Sequence, residues 1–189
     1  MIFEKLVPNP KQSEIRNLLP WTKEYKDKID VISCTVGQID DIVNLLNIQF
    51  PVYSILYFRA LPNTEGLVHK DEILNSDNLN VAKFALNIPV LNSLNMSWFE
   101  PKIDNPPVLE FPGPTYGDQT PLIKKEYVNQ IASTDIDSPT LVSINQWHNV
   151  KNTSPDQIGE IISIRFEPAI ELDLFLEYAG HLLQKNQNS

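Results

Sequence analysis

The sequence predicts a mainly β chain: antiparallel strands in a sandwich or barrel, with helices at both ends packing on the outside. Three observations carry that reading. Residues 52 to 168 form a run of short aromatic and β-branched segments broken by turns at short intervals. Clear helical spacing is found only before residue 51 and after residue 168. No internal repeat or linker divides the chain, so residues 1–189 read as one domain: an extension over 1–51, a core over 52–168 and a terminal helix over 169–189.

The elements follow in order. Pro8 and Pro10 mark an extended entry, and helix formers ahead of Pro20 predict a short helix over 12–19. IDVISCTV (29–36) is rich in β-branched residues and reads as a strand ended by Gly37. In residues 38–50, Ile39, Ile42, Val43, Leu46 and Phe50 share one helical face, and Pro51 is expected to stop that helix. VYSILYFRAL (52–61) reads as a strand, PNTEG as a turn, and LVHKD as the start of the next strand. VAKFALNIPVL (81–91) and MSWFE (96–100) are further strands.

Residues 101–121 are dense in Pro and Gly, which excludes a helix or a central strand and predicts a long loop with some extended pairing, suited to a lid. LIKKEYVNQIA (122–132) fits either helix or strand. PTLVSINQWHNV (139–150) and EIISIRFEP (160–168) read as strands. Leu172, Leu174, Phe175, Leu176, Ala179, Leu182 and Leu183 give the helix over 169–185 its spacing.

Composition narrows the function classes. The chain has 189 residues, 42% hydrophobic and 21% charged, as in ordinary globular proteins. Its formal charge of -9 repels phosphate backbones and anionic membrane surfaces, so neither is the default partner. Cys34 is the single cysteine, which rules out an intrachain disulfide and a zinc knuckle, and its apolar setting predicts a buried core thiol. The sequence shows neither a basic-then-apolar leader nor an apolar run of membrane-spanning length, which predicts a cytoplasmic protein. Gly-rich phosphate loops and the G-x-S-x-G elbow are absent.

The residues that carry chemistry are His69, Asp71 and His148. Two of the three histidines fall in a His-x-Asp pair followed much later by one His, all in strand-like surroundings. Side chains alternate along a strand, so His69 and Asp71 would point to one side of a sheet while Lys70 points away. His148 on another strand would complete a triangular face. Two imidazoles and one carboxylate suit Fe(II) and leave coordination positions open. Each residue also has an ordinary structural use: the pair as a solvated turn, and His148 beside Trp147 as a core histidine bonded to a backbone carbonyl.

Taken with their flanks, these motifs resemble the 2-oxoglutarate and Fe(II)-dependent oxygenase superfamily. The resemblance runs over about residues 52–168: His-x-Asp, then AKFALNIPVLN, SWFE, LVSINQWHNVKN and IISIRF. It is nearest to small bacterial and phage members similar to aspartyl/asparaginyl and prolyl hydroxylases. It implies a double-stranded β-helix (a cupin-like jelly roll), with His69, Asp71 and His148 as iron ligands, 2-oxoglutarate as co-substrate and O2 as oxidant. It also implies a basic residue for the distal carboxylate of 2-oxoglutarate, ideally an arginine with its planar fork.

Many relatives place that arginine where this chain has Ile161. Arg165 shares a face with Ile161 and Ser163 by alternation, Lys83 is the second candidate, and Arg59 is a third. Asn87 and Tyr57 could bond a co-substrate carboxylate, and Trp98 could shape the pocket. Asn149 and Asn152 shape the turn after His148, and His181 packs or lies at the surface. The implied substrate is a protein side chain, a free amino acid or a small metabolite. Two other functions fit the same residues: a non-catalytic jelly-roll binding module, and a cupin-type metalloenzyme that does not use 2-oxoglutarate.

Overall fold

Two antiparallel sheets face each other in the computed structural model, which describes residues 3–5, 11–19, 28–71, 83–112, 119–166, 173 and 175–177. The first sheet contains β1 (Phe3–Lys5), β2 (Ile29–Ser33), β3 (Val52–Ala60), β6 (Phe84–Leu91), β11 (Thr140–Ser143) and β13 (Gly159–Phe166), in the order β1-β11-β6-β13-β3-β2. The second contains β5 (Val68–His69), β7 (Leu94–Pro101), β8 (Val108–Pro112), β9 (Gln119–Ile123), β10 (Val128–Ile136) and β12 (Trp147–Asn152), in the order β10-β7-β12-β5-β9-β8. A two-residue strand, β4 (Thr64–Glu65), also pairs with β12. From β3 onward the chain crosses from the first sheet to the second and back, with β3, β6, β11 and β13 in the first and β4–β5, β7–β10 and β12 in the second, the winding of a jelly roll, here a double-stranded β-helix.

Alternation along the strands divides each sheet into two faces. On the first sheet Ile55, Tyr57, Ile88, Ile162 and Ile164 form an outer apolar cluster with Ile15 of α1 (Gln12–Leu18) and Ile42 of α2 (Val36–Leu46). Both helices therefore cover the outer face. The inner face carries Arg165, Ser163 and Ile161 from β13, with Ser54, Leu56 and Phe58 opposite them on β3. Deep between the sheets, Ile161 packs with Leu94, Met96, Trp98 and Val150. The extension over residues 1–51 is thus built into the core, because it supplies an edge strand at each end of the first sheet and the helices on its outside.

Several expected boundaries shift for identifiable reasons. α2 starts at Val36 rather than after Gly37, because Thr35 caps it in a reciprocal capping box with Gln38. It ends not at Pro51 but at Asn47, which takes the left-handed conformation at φ 52°. The Pro-rich region holds a paired hairpin, β8 against β9, that extends the second sheet. Residues 122–132 resolve into the end of β9, a 3-10 turn (Lys125–Tyr127) and the start of β10. The segment 139–150 is two strands in different sheets, β11 and β12. Pro89 is accommodated inside β6 because pairing with β11 ends at Asn87 and pairing with β13 is irregular there. Most of the helix expected over 169–185 lies outside the described residues; Asp173 and Phe175–Glu177 are helical, and Phe175 is buried against Phe166.

Gly159 opens β13 where space is short. A Cβ there would lie 2.2 Å from Cδ2 and 2.9 Å from Cγ of the buried Leu94. Gly159→Ala is expected to destabilise the chain by about 1–3 kcal/mol through overpacking, read as a lower urea midpoint with an unchanged slope.

Candidate metal centre

His69, Asp71 and His148 converge at one end of the inner space. Each offers a ligand atom, and the three atoms lie within 4.8 Å of one another. Backbone pairing explains the convergence. β12 lies between β7 and β5, and His148 stands directly opposite His69 across the β5–β12 ladder. Opposed residues point to the same face, and the ring centroids are 4.4 Å apart. On the other face of β12, Trp147 packs with Val68 and Phe99, and Lys70 lies over the Trp147 ring at 5.1 Å.

Asp71 arrives differently from the expected period-two pair on one strand. β5 ends at His69, and Asp71 lies two residues beyond it. It is held by its own N–H, which donates to Ile144 O at 3.1 Å. Its Oδ1 still comes within 3.5 Å of His69 Nε2.

Both imidazoles are oriented through Nδ1. His69 Nδ1 lies 3.0 Å from Leu67 O, and His148 Nδ1 lies 2.8 Å from Gln146 O. A carbonyl can only accept, so each Nδ1 carries the proton and donates it. In its neutral form each ring then presents the lone pair of Nε2, the arrangement a metal-ligating histidine needs. Typical metal–ligand distances of about 2.0–2.2 Å require donor atoms to gather within roughly twice that span, which this group nearly does as it stands. Two imidazole nitrogens and one carboxylate therefore fit a divalent transition ion such as Fe(II).

Electrostatics support a charged Asp71. Burial disfavours its carboxylate, yet the Arg165 guanidinium and the His69 contact more than offset this and hold its pKa well below the usual range. Arg165 Nη2 pairs with Asp71 Oδ2 at 2.6 Å. Burial pushes the His148 pKa down to about 4, with the charge of His69 adding to the effect. Burial also acts to lower the His69 value, but the bond and charge of Asp71 win and raise it.

The remaining sequence candidates separate by face. Arg165 points inward and meets the triad. Asn87 is inward and 3% exposed, with Nδ2 3.6 Å from Met96 Sδ. Trp98 is fully buried next to His148; its Nε1 donates to Ser143 O at 2.8 Å, and its ring stacks on Phe3. Lys83 is exposed, just before β6 at the rim of the same end, where its carbonyl accepts from Ile144 N.

Tyr57 and Arg59 are corrections, because both belong to the outward set of β3. Tyr57 packs with the helices, and Arg59 pairs with buried Asp30 at 3.0 Å. Asn149 faces out and donates to Glu65 Oε1, while Asn152 donates to Ala60 O and Gln157 O. His181 lies outside the described residues. Cys34 is buried, and burial pushes its thiol up to about 11, which suits a core residue and not a nucleophile. Ser54, directly opposite Arg165, was not singled out from the sequence; its signal is a hydroxyl on the otherwise apolar inward set of β3.

Among the described residues, no helix is long and apolar enough to cross a membrane. No family model and no curated protein matches the chain. Solved structures similar to it include Peruvianin-I, a cysteine peptidase from Thevetia peruviana latex, at 10% identity and TM-score 0.41, covering 79% of this chain and 68% of that one. Another is E. coli ycfD, at 9% identity and TM-score 0.44, covering 88% of this chain and 42% of that one. A third is a cupin 2 domain-containing protein from Halorhodospira halophila, at 10% identity and TM-score 0.35, covering 88% of this chain and 86% of that one. At TM-scores below 0.5 these likenesses contribute nothing to the assignment of an activity, which rests on the site itself.

The protonation pattern fixes the direction of pH dependence. A metal competes with a proton at each Nε2, and the raised pKa of His69 makes it the first ligand lost on acidification. Metal affinity is expected to fall about tenfold per pH unit as pH drops through that raised value. His148 joins only near pH 4. Calorimetric titration of Co(II) or Mn(II) between pH 8 and pH 5 checks this, and a flat profile would contradict it.

Proposed function

We propose that this chain is a non-haem iron(II) oxygenase in which His69, Asp71 and His148 hold the metal. The observation that carries the reading is the convergence of one ligand atom from each of two imidazoles and one carboxylate within 4.8 Å of one another. Bound there, iron would supply O2 activation for oxidation of a neighbouring substrate. The chain's own part is to bind, orient and exclude water. The carbonyls of Leu67 and Gln146 fix both rings. Arg165 pairs with Asp71 Oδ2, so Oδ1 is the oxygen that would hold the metal. The β8–β9 hairpin continues the sheet beside the site, with Leu122 opposite His69, and is placed to cover a bound substrate. A small acid, an amino acid or a peptide side chain suits this inward-facing site better than a nucleic acid, given the net charge of -9.

Two sources of electrons fit the site. Arg165, a half-buried cation at the metal end, supports 2-oxoglutarate as co-substrate. A cupin-type reaction without 2-oxoglutarate is favoured by Ile161, which occupies the position where the family resemblance implies an arginine. Ile161 is fully buried and packs with Met96 and Trp98, so a carboxylate there would be stripped of water.

Anaerobic addition of Fe(II) and then 2-oxoglutarate separates these readings. A weak visible charge-transfer band supports the first, and tight metal binding without the band supports the second. His69→Ala and Asp71→Ala are each expected to weaken metal binding at least tenfold. Unchanged affinity in both variants would leave the site a structural polar cluster.

A further inference from the structure

Beside the triad, the inner face of the first sheet carries buried polar atoms that the fold does not satisfy. Ser54 Oγ, Arg165 Nε and Asn87 Oδ1 are all buried without a hydrogen-bond partner. Ser54 is 9% exposed and Asn87 is 3% exposed. Buried polar groups in folded proteins are nearly always paired, so neighbouring orphans on one face point to an occupant.

Their positions are adjacent. Ser54 stands directly opposite Arg165 across the β3–β13 ladder. Asn87 stands opposite Ser163, the next inward residue along β13. Successive inward positions on a strand are about 7 Å apart. The next inward position after that is Ile161, where the apolar cluster begins. The polar strip is therefore short, with one end at the metal site and the other at Asn87.

The chemistry of the orphans describes the occupant. Arg165 Nε and Ser54 Oγ are donors, one of them cationic, and they suit a carboxylate. Asn87 Oδ1 is an acceptor and asks for an O–H or N–H. A second carboxylate farther in would meet Ile161 and Met96 and lose its water without compensation.

We propose that this strip seats a short monocarboxylic acid bearing a hydroxyl or amino group. Its carboxylate bonds Arg165 Nε and Ser54 Oγ, and its donor bonds Asn87 Oδ1. The proposal rests on the iron reading only in taking this ligand as the substrate; the strip itself is formed by the chain.

The test uses the full chain, first metal-free and then loaded with Co(II). Calorimetry compares 2-hydroxybutyrate, 2-aminobutyrate, butyrate and 2-oxoglutarate. Either substituted acid is expected to bind at least tenfold more tightly than butyrate. Ser54→Ala is expected to weaken it at least fivefold, with thermal unfolding unchanged. Asn87→Leu is expected to abolish the preference over butyrate. In the metal-free chain, no binding of any of the four acids, an unchanged affinity in folded Ser54→Ala, or 2-oxoglutarate binding as tightly as the hydroxy acid would each overturn the proposal. The Co(II) absorption spectrum is read separately: its loss of sensitivity to His69→Ala sinks the iron reading, whereas the metal-free titrations judge the acid site alone.

Discussion

The direct opposition of His69 and His148 across the β5–β12 ladder is the constraint on which the centre depends. It is a matter of register. A one-residue slip of β12 would send His148 outward and bring Trp147 or Asn149 inward. The strand is held against slipping from both sides. On the outer face Trp147 packs into its own small apolar cluster, and Asn149 is tied to Glu65. On the inner face Val150 packs beside Trp98 and Met96. The apolar pattern of the strand thus does double service, setting the fold and aiming a ligand.

The second constraint is the burial of charge. Asp71, Arg165 and two imidazoles share a partly dry space, where an isolated charge is costly. The pairing of Arg165 with Asp71 offsets that cost and joins the two sheets, since Arg165 comes from β13 and Asp71 follows β5. A comparable device serves the outer side. There Arg59 pairs with Asp30, and Glu160, 2% exposed, pairs with Arg16 of α1 at 3.1 Å. The first sheet therefore carries two charged clusters on opposite faces, one beside the candidate centre and one under the helices.

Much of this was legible from residue order. Strand texture over 52–168 and the spacing of His69, Asp71 and His148 gave the sandwich and the candidate ligands, because period-two patterning and ligand chemistry are local properties. Arg165 was also readable, through its shared parity with Ser163 and Ile161. Tyr57 and Arg59 misled because alternation says which residues share a face but not which face is inside. Their strand has polar and apolar groups on both sides, and the helices cover the outer one. Asp71 lay off the strand because a backbone bond to Ile144, remote in sequence, positions it. The division of 139–150 into β11 and β12 was hidden since both halves have strand composition and the crossing falls within four residues. The orphaned atoms of Ser54 and Asn87 belong to packing, which no linear pattern records.

Among the described residues, asparagine is the residue found outside glycine in the left-handed region, at positions 47, 63, 92 and 105. Glycine would meet the backbone requirement at less steric cost, but it has no side chain to reach across a turn. Asn63 Nδ2 donates to Pro155 O and Asn92 Nδ2 to Ile158 O, so two separate bends are fastened to the 153–158 connection that leads from β12 into β13. Since His148 lies on the first of those strands and Arg165 on the second, the far end of the barrel braces the spacing between a ligand and its neighbouring cation through two corner amides.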